Sequence, residues 1–267
     1  MPVKLLVVGG GKMGGALVGG LVGSGWSAPS GVGVVEPVPE RRQELAALHP
    51  GLVTLAAPEP GIVEPGGGAV LAVKPEAAEV ACRALAAAGV GRVLSVVAGM
   101  AAQRLEAVLA PGAAVVRAMP NAPALIGAGV TAMAGGSNVT AADLDWAEGV
   151  LGAVGRVVRL PERHLDAVTG LSGSGPAYVS VVAEALVEAG VLVGLPRDVS
   201  RTLTVETLLG SATLLARGEA PEELRAAVTS PGGTTAAGLR VLEARAVRSA
   251  FVEAVVAATE RARSLGR

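Results

Sequence analysis

The sequence predicts an α/β fold in two parts: a doubly wound parallel sheet domain over residues 1–160, then an all-α domain over 161–267. Three observations lead there. Up to about residue 160, short β-branched runs alternate with helical patterns, and after Pro161 the strand signal stops. The strand runs are continuously apolar rather than alternating, as in a parallel sheet covered by helices on both faces. A glycine-rich turn, Gly9-Gly-Gly-Lys-Met-Gly14, follows the first run and opens the first helix.

The expected strands are Val3–Val8, Val32–Glu36, Leu52–Leu55, Ala69–Val73, Arg92–Val97, Ala113–Arg117, Val130–Ala134 and Arg156–Leu160. Helical patterns lie among them at Met13–Val22, Glu40–Leu48, Glu76–Ala88, Ala101–Leu109 and Ala141–Leu151, the last opened by a capping box of Thr140 and Asp143. In the second part helices are expected at His164–Leu171, Pro176–Leu192, Arg197–Ala216, Glu222–Val228, Thr234–Ala244 and Ala246–Ser264. Pro176, Pro196 and Pro221 stand near helix starts, where a missing N–H is tolerated. The helices Pro176–Leu192 and Arg197–Ala216 carry few charges, which points to a subunit interface.

A net charge of −1 argues against nucleic acid or an anionic membrane as partner. Apolar residues make up 51% of the chain but aromatics only 1%, so Ala, Val and Leu must build the core. The long uncharged runs Met13–Val35 and Ala118–Ala142 are interrupted by Gly, Pro and polar residues, and Tyr178–Leu195 carries Glu184 and Glu188. None of these reads as a membrane span. One cysteine, Cys82, precludes an internal disulfide and suggests a reducing, cytoplasmic setting. No metal site is expected.

Gly9, Gly11 and Gly14 fill the three positions of G-x-G-x-x-G. The first permits the tight turn, the second admits a pyrophosphate to the backbone, and the third lets helix and strand pack closely. After a strand and before a helix, this spacing predicts a Rossmann-like dinucleotide site. Gly15, Gly19 and Gly23 read as helix–sheet packing. Glu36 ends the second strand 22 residues after Gly14, where a carboxylate holds the ribose hydroxyls of NAD and disfavours a 2′-phosphate. Arg41 and Arg42 lie just beyond, as receivers of a 2′-phosphate or as solvated charges, so NAD(H) and NADP(H) both stay open. Ala72-Val-Lys-Pro75, Ser95-Val-Val-Ala-Gly99 and Arg117-Ala-Met-Pro-Asn-Ala-Pro123 follow later strands, where ligands meet such sheets. Lys74 is expected near the cofactor, and Asn121 near the nicotinamide carboxamide or the substrate.

In the helical part, Thr169-Gly-Leu-Ser-Gly-Ser-Gly-Pro-Ala-Tyr178 forms a small-residue turn into the long helix. Val228-Thr-Ser-Pro-Gly-Gly-Thr-Thr235 places hydroxyls and glycines at another helix start. Free N–H groups there suit a carboxylate, and the hydroxyls suit a polarisable neighbour.

Together GGGKMG at 9–14, AVKP at 72–75, SVVAG at 95–99, RAMPNAPAL at 117–125, TGLSGSGPAY at 169–178 and VTSPGGTT at 228–235 resemble the pyrroline-5-carboxylate reductase family. The resemblance spans essentially the whole chain. It implies a Rossmann-like domain and a helical domain that interlocks between subunits of a dimer, often assembled further into rings. It also implies NAD(P)H as cofactor and 1-pyrroline-5-carboxylate as substrate. On that pattern Gly9, Gly11, Lys12, Met13, Gly14, Glu36, Ala72, Val73, Lys74, Pro75, Ala98, Gly99 and Asn121 bind the cofactor. Ser230, Gly232, Gly233 and Thr234 hold the substrate carboxylate, with Asn121 nearby, and Thr235 hydrogen-bonds the ring nitrogen as the catalytic residue. Glu36 departs from the small polar residue frequent in the family. The rival expectation is a 3-hydroxyacid-type dehydrogenase of the same two-domain plan. It needs a lysine or histidine acid–base early in the helical part, yet no lysine occurs between His164 and Leu195.

Overall fold

The computed structural model describes residues 2–265. Eight strands form one sheet: β1 (Val3–Val8), β2 (Val32–Val35), β3 (Val53–Leu55), β4 (Val63–Leu71), β5 (Arg92–Ser95), β6 (Ala114–Met119), β7 (Gly129–Gly135) and β8 (Gly155–Arg159). Their order is β3-β2-β1-β4-β5-β6-β7-β8. The chain builds outward from β1 to β3, then crosses back and lays β4 on the other side of β1. That reversal opens a crevice at the carboxyl ends of β1 and β4.

Alternation explains why β1 reads as an unbroken apolar run. Leu6 and Val8 join one buried cluster with Leu71, Cys82, Leu85, Val93 and Leu105. Leu5 and Val7 join the opposite one with Leu17, Leu21, Val34, Val70 and Leu151. The first cluster is covered by α3 (Pro75–Ala87) and α4 (Ala102–Glu106), the second by α1 (Lys12–Gly23), α2 (Pro39–Leu48) and α5 (Ala141–Gly152).

The expected all-parallel sheet needs correction. β6 pairs antiparallel with β7, while β7 and β8 run parallel to each other. Only residues 120–128 join β6 to β7, a stretch too short for the crossover that a parallel neighbour requires. Two elements differ most in extent. α4 is shorter than Ala101–Leu109, and β4 begins at Val63 rather than Ala69.

Glu162–His164 form a 3₁₀ turn, followed by α6 (Leu165–Val168) and a π-helical turn over Thr169–Gly173. Thr169 Oγ1 donates to Leu165 O at 2.9 Å and Ser174 N–H to Thr169 O at 2.9 Å. Hydroxyl back-bonding of this kind, beside glycines, widens what was expected to be one regular helix. Then come α7 (Gly175–Leu192), α8 (Arg197–Ala216), α9 (Pro221–Ala227), α10 (Thr234–Ala244) and α11 (Val247–Leu265).

The residues group into two compact units, Met1–Ser174 with Ala257–Arg267, and Gly175–Val256. In the first, Glu162 Oε1 accepts from Ala102 N–H (2.9 Å) and from Arg117 Nη1 (3.2 Å), and Arg117 also pairs with Asp166 at 3.5 Å. In the second, α7 packs against α8, with Ser200 Oγ donating to Val187 O at 2.8 Å, yet no α7 residue is buried. The helical stretch Glu162–Leu192 is long and apolar enough, by length and composition, to cross a membrane.

Candidate active site

Gly9 leaves β1 with φ +105°, a conformation open to glycine and strained for other residues. A Cβ there would stand 2.5 Å from Ala72 O, so the turns after β1 and β4 touch through bare backbone. A Cβ on Gly14 would collide with Gly9 O, which fixes its role in helix–strand packing. At Gly11 the opposite holds: nothing lies within 4 Å of a Cβ position. Gly11 caps α1 with no side-chain bond, which leaves the first helical N–H groups without a side-chain partner there. Tight packing at Gly9 and Gly14 with room at Gly11 fits a dinucleotide pyrophosphate.

The small residues of α1 divide differently from the expectation. Gly20 meets Val154 and Ala153, whereas Gly15 faces Arg41 and Leu45 of α2, Gly19 faces His49, and Gly23 has no neighbour within 4 Å. Gly15, Gly19 and Gly23 are therefore not sheet-packing positions.

Glu36, just past β2, reaches back to the loop. Its Oε2 accepts from Gly10 N–H at 2.9 Å and its Oε1 from Val38 N–H at 3.1 Å. Arg41 Nε donates to Gly10 O at 2.7 Å, and Arg42 Nη1 donates to Glu36 O (2.6 Å) and Pro37 O (2.9 Å). Lys74 precedes the first turn of α3, exposed and forming no ion pair among the described residues, and Pro75 is the first helical residue. Ser95 is fully buried, its Oγ accepting from Val97 N–H. Ala98 is exposed, and Gly99 lies beside Leu265 of α11. The Asn121 side-chain oxygen accepts from Val130 N–H at 2.9 Å, so its amide N–H groups remain for a ligand.

The substrate-side residues lie in the second unit. Gly232 takes φ +70°, and Gly233 N–H donates to Ser230 O at 3.0 Å, closing a turn into α10. Thr234 and Thr235 are the first two residues of α10, and no side chain caps that helix. The hydroxyls of Ser230, Thr234 and Thr235 have no partner among the described residues. A helix start with free amides and three uncapped hydroxyls is equipped for a carboxylate and a neighbouring hydrogen-bonding atom.

A model described as pyrroline-5-carboxylate reductase dimerisation matches residues 162–265, and one described as NADP oxidoreductase, coenzyme F420-dependent, matches residues 4–99. The pyrroline-5-carboxylate reductase of Synechocystis is 42% identical over the full length of both chains, and that of Mycobacterium tuberculosis 43% identical over 98% of this chain and 96% of its own. This chain belongs to the pyrroline-5-carboxylate reductase family. Among solved structures, the pyrroline-5-carboxylate reductase from Coxiella burnetii superposes with a TM-score of 0.92 at 32% identity, covering all of both chains. The Plasmodium falciparum pyrroline carboxylate reductase with NADP bound gives 0.85 at 28% identity, covering 99% and 98%. The chain self-associates through its dimerisation region, which contains the apolar stretch Glu162–Leu192.

Features outside this family pattern have structural explanations. A hollow of about 530 Å³ lies at the amino ends of β4, β5 and β6, lined by Glu64, Arg92, Asn138, Thr140 and Asp143 among others. Arg92 and Asp143 satisfy each other: Arg92 Nε donates to Asp143 at 2.7 Å, and its Nη1 donates to Gly66 O at 2.8 Å. Burial raises the Asp143 carboxyl, but the Thr140 hydroxyl and amide and the Arg92 guanidinium outweigh it and hold the group below its ordinary 3.8. Cys82 is buried in the core, and burial pushes its thiol up to about 11, which suits packing rather than nucleophilic attack. Sequence reasoning missed the grip of Arg41 on Gly10. The adjacent arginines after β2 were its only signal.

Proposed function

We propose that two groups of residues divide the work of the reaction that names the family, reduction of 1-pyrroline-5-carboxylate to L-proline, the last step of proline biosynthesis. The chain is an oxidoreductase acting on a C=N bond with NAD(P)H. When bound, the reduced nicotinamide supplies a hydride. Gly9, Gly11, Lys12, Met13 and Gly14 hold the pyrophosphate, Glu36 the adenosine ribose, and Ala72, Val73, Lys74, Pro75, Ala98, Gly99 and Asn121 the remainder of the coenzyme.

The amides on either side of Gly233, whose own N–H closes the turn onto Ser230 O, hold the substrate carboxylate with Ser230 and Thr234. Thr235 Oγ1 accepts a hydrogen bond from the protonated ring nitrogen. A cyclic imine is most electrophilic as its iminium, so the pocket has to favour a protonated nitrogen and needs no strong nucleophile. Hydride arrives at the imine carbon, C5 in proline numbering, and the C=N electron pair passes to nitrogen, giving a secondary amine. Orientation of the reacting carbon is the main catalytic contribution.

The observation that carries this reading is the trio of unpartnered hydroxyls at the uncapped start of α10. A single buried thiol fits a reducing compartment, and we place the protein in the cytoplasm. The test is NAD(P)H consumption with pyrroline-5-carboxylate, set against NAD(P)⁺ reduction with 3-hydroxyacids. Turnover with the imine alone is expected. Turnover with a 3-hydroxyacid and none with the imine would overturn the reading.

A further inference from the structure

We infer that Arg41 is a positioning residue for the dinucleotide, acting through the Gly10 peptide rather than receiving a 2′-phosphate. The inference rests on the reading above that the 9–14 loop holds the coenzyme. Both polar atoms of Gly10 are engaged from the segment after β2: its N–H by Glu36 Oε2 at 2.9 Å, its carbonyl by Arg41 Nε at 2.7 Å. A glycine in a glycine-rich loop has unusual torsional freedom, and two charge-assisted bonds remove it. The orientation of this residue sets where the next amides, from Gly11 into α1, point.

Arg41 is itself braced. Its Nη1 pairs with Glu44 Oε2 at 2.8 Å, one helical turn along α2. Its Nη2 lies 3.0 Å from where a Cβ of Gly15 would stand, so the guanidinium lies across the first turn of α1 in the space that Gly15 leaves open. Arg42 is likewise bound to backbone, its Nη1 shared by the carbonyls of Glu36 and Pro37. The arginine pair thus tightens the loop. The group from this cluster that faces the adenosine ribose is the Glu36 carboxylate.

The two roles predict different binding patterns. A phosphate receptor, when removed, weakens NADPH and leaves NADH unchanged. A loop brace weakens both alike. The experiment titrates full-length wild type, Arg41→Ala and Arg41→Lys with NADH and with NADPH by fluorescence, alongside thermal melts. Arg41→Ala should weaken both coenzymes roughly tenfold, with their ratio of Kd values unchanged. Arg41→Lys retains a donor for Gly10 O and should recover part of the loss for both. Selective loss of NADPH, or unchanged affinity for both coenzymes, would overturn the inference. If Arg41→Ala does not fold, Arg41→Lys decides alone: a small parallel loss supports the brace, a selective or absent one refutes it. Wild type that binds neither coenzyme would overturn the functional reading as well, which separates that failure from this one.

Discussion

Thr235 stands at the second position of α10, half-buried, with its hydroxyl unpartnered among the described residues. As a cap its loss would lower stability by about 1 kcal/mol and leave turnover alone. The helix has no side-chain cap, so the hydroxyl makes no capping bond and is free for the role proposed above. Thr235→Ala should lower kcat and kcat/KM roughly tenfold or more with little change in coenzyme affinity, whereas Thr235→Ser keeps the hydroxyl and most of the rate. Steady-state kinetics with melts on both variants check this; normal turnover by Thr235→Ala at a permissive temperature would make the residue structural. Glu36 gives a second prediction. On the proposed reading, its carboxylate would disfavour a 2′-phosphate by about 1–3 kcal/mol in a partly dehydrated cleft. Glu36→Ser should therefore lower the KM for NADPH relative to that for NADH, and an unchanged kcat/KM ratio for the two would count against this role. The turn at Gly9–Gly14 and the helix start after Gly233 were legible in the sequence, because glycine turns and helix starts are set locally. Arg41 was not legible, since its partner Gly10 lies 31 positions away.

At the scale of elements, the start of α5 shows how local chemistry is reinforced by distant contacts. Asp143 N–H donates to Thr140 Oγ1 and Thr140 N–H to Asp143 Oδ2, completing the capping box the sequence predicted, while Arg92 from β5 pairs with the same carboxylate. The folded Asp143 titrates below its ordinary 3.8, so its stabilisation is present above that pH and disappears as pH falls through the lower folded value. Thr140→Ala should cost about 1 kcal/mol, a fall of roughly 2–4 °C in Tm at neutral pH. Asp143→Asn should flatten the loss of Tm below about pH 4. Thermal melts across that range measure both, and an unchanged acid profile would contradict the assignment. Nearby, β4 shows where local reading stops. Glu64-Pro-Gly-Gly-Gly68 has turn composition and lies inside β4 as a bulge: the register against β1 slips between Val3↔Val63 and Leu5↔Gly68, and Gly66 takes φ +82°. A Cβ on Gly68 would meet Trp146 Cζ2 at 2.5 Å and one on Gly67 would meet Lys4 O at 2.6 Å. These glycines make room for tertiary neighbours, which composition does not reveal. The reversal of β7 was in principle readable from the nine residues before it, too few for a crossover helix.

For the whole molecule, the second unit leaves large apolar side chains in the open: Val181 is 63% exposed on α7 and Leu209 60% on α8. The family's dimerisation region covers both helices, and burial of such residues at about 25 cal/mol per Å2 is what holds an obligate interface. Replacing Val181 and Leu186 together by Arg should reduce the mass seen in light scattering while far-ultraviolet circular dichroism keeps its helical signal. Retention of the wild-type mass would place the interface on another face. The low charge of these helices made self-association legible in the sequence. Which faces are covered was not, because that depends on a second copy of the chain. The central claim is that this chain delivers a nicotinamide hydride to the imine carbon of a carboxylate-bearing ring. Coenzyme deuterated at the transferable C4 position, supplied with 1-pyrroline-5-carboxylate, tests it most directly by mass spectrometry of the product. The account predicts L-proline carrying one deuterium at C5 for each coenzyme oxidised. Coenzyme oxidation without labelled proline, or proline formed without deuterium, would contradict it.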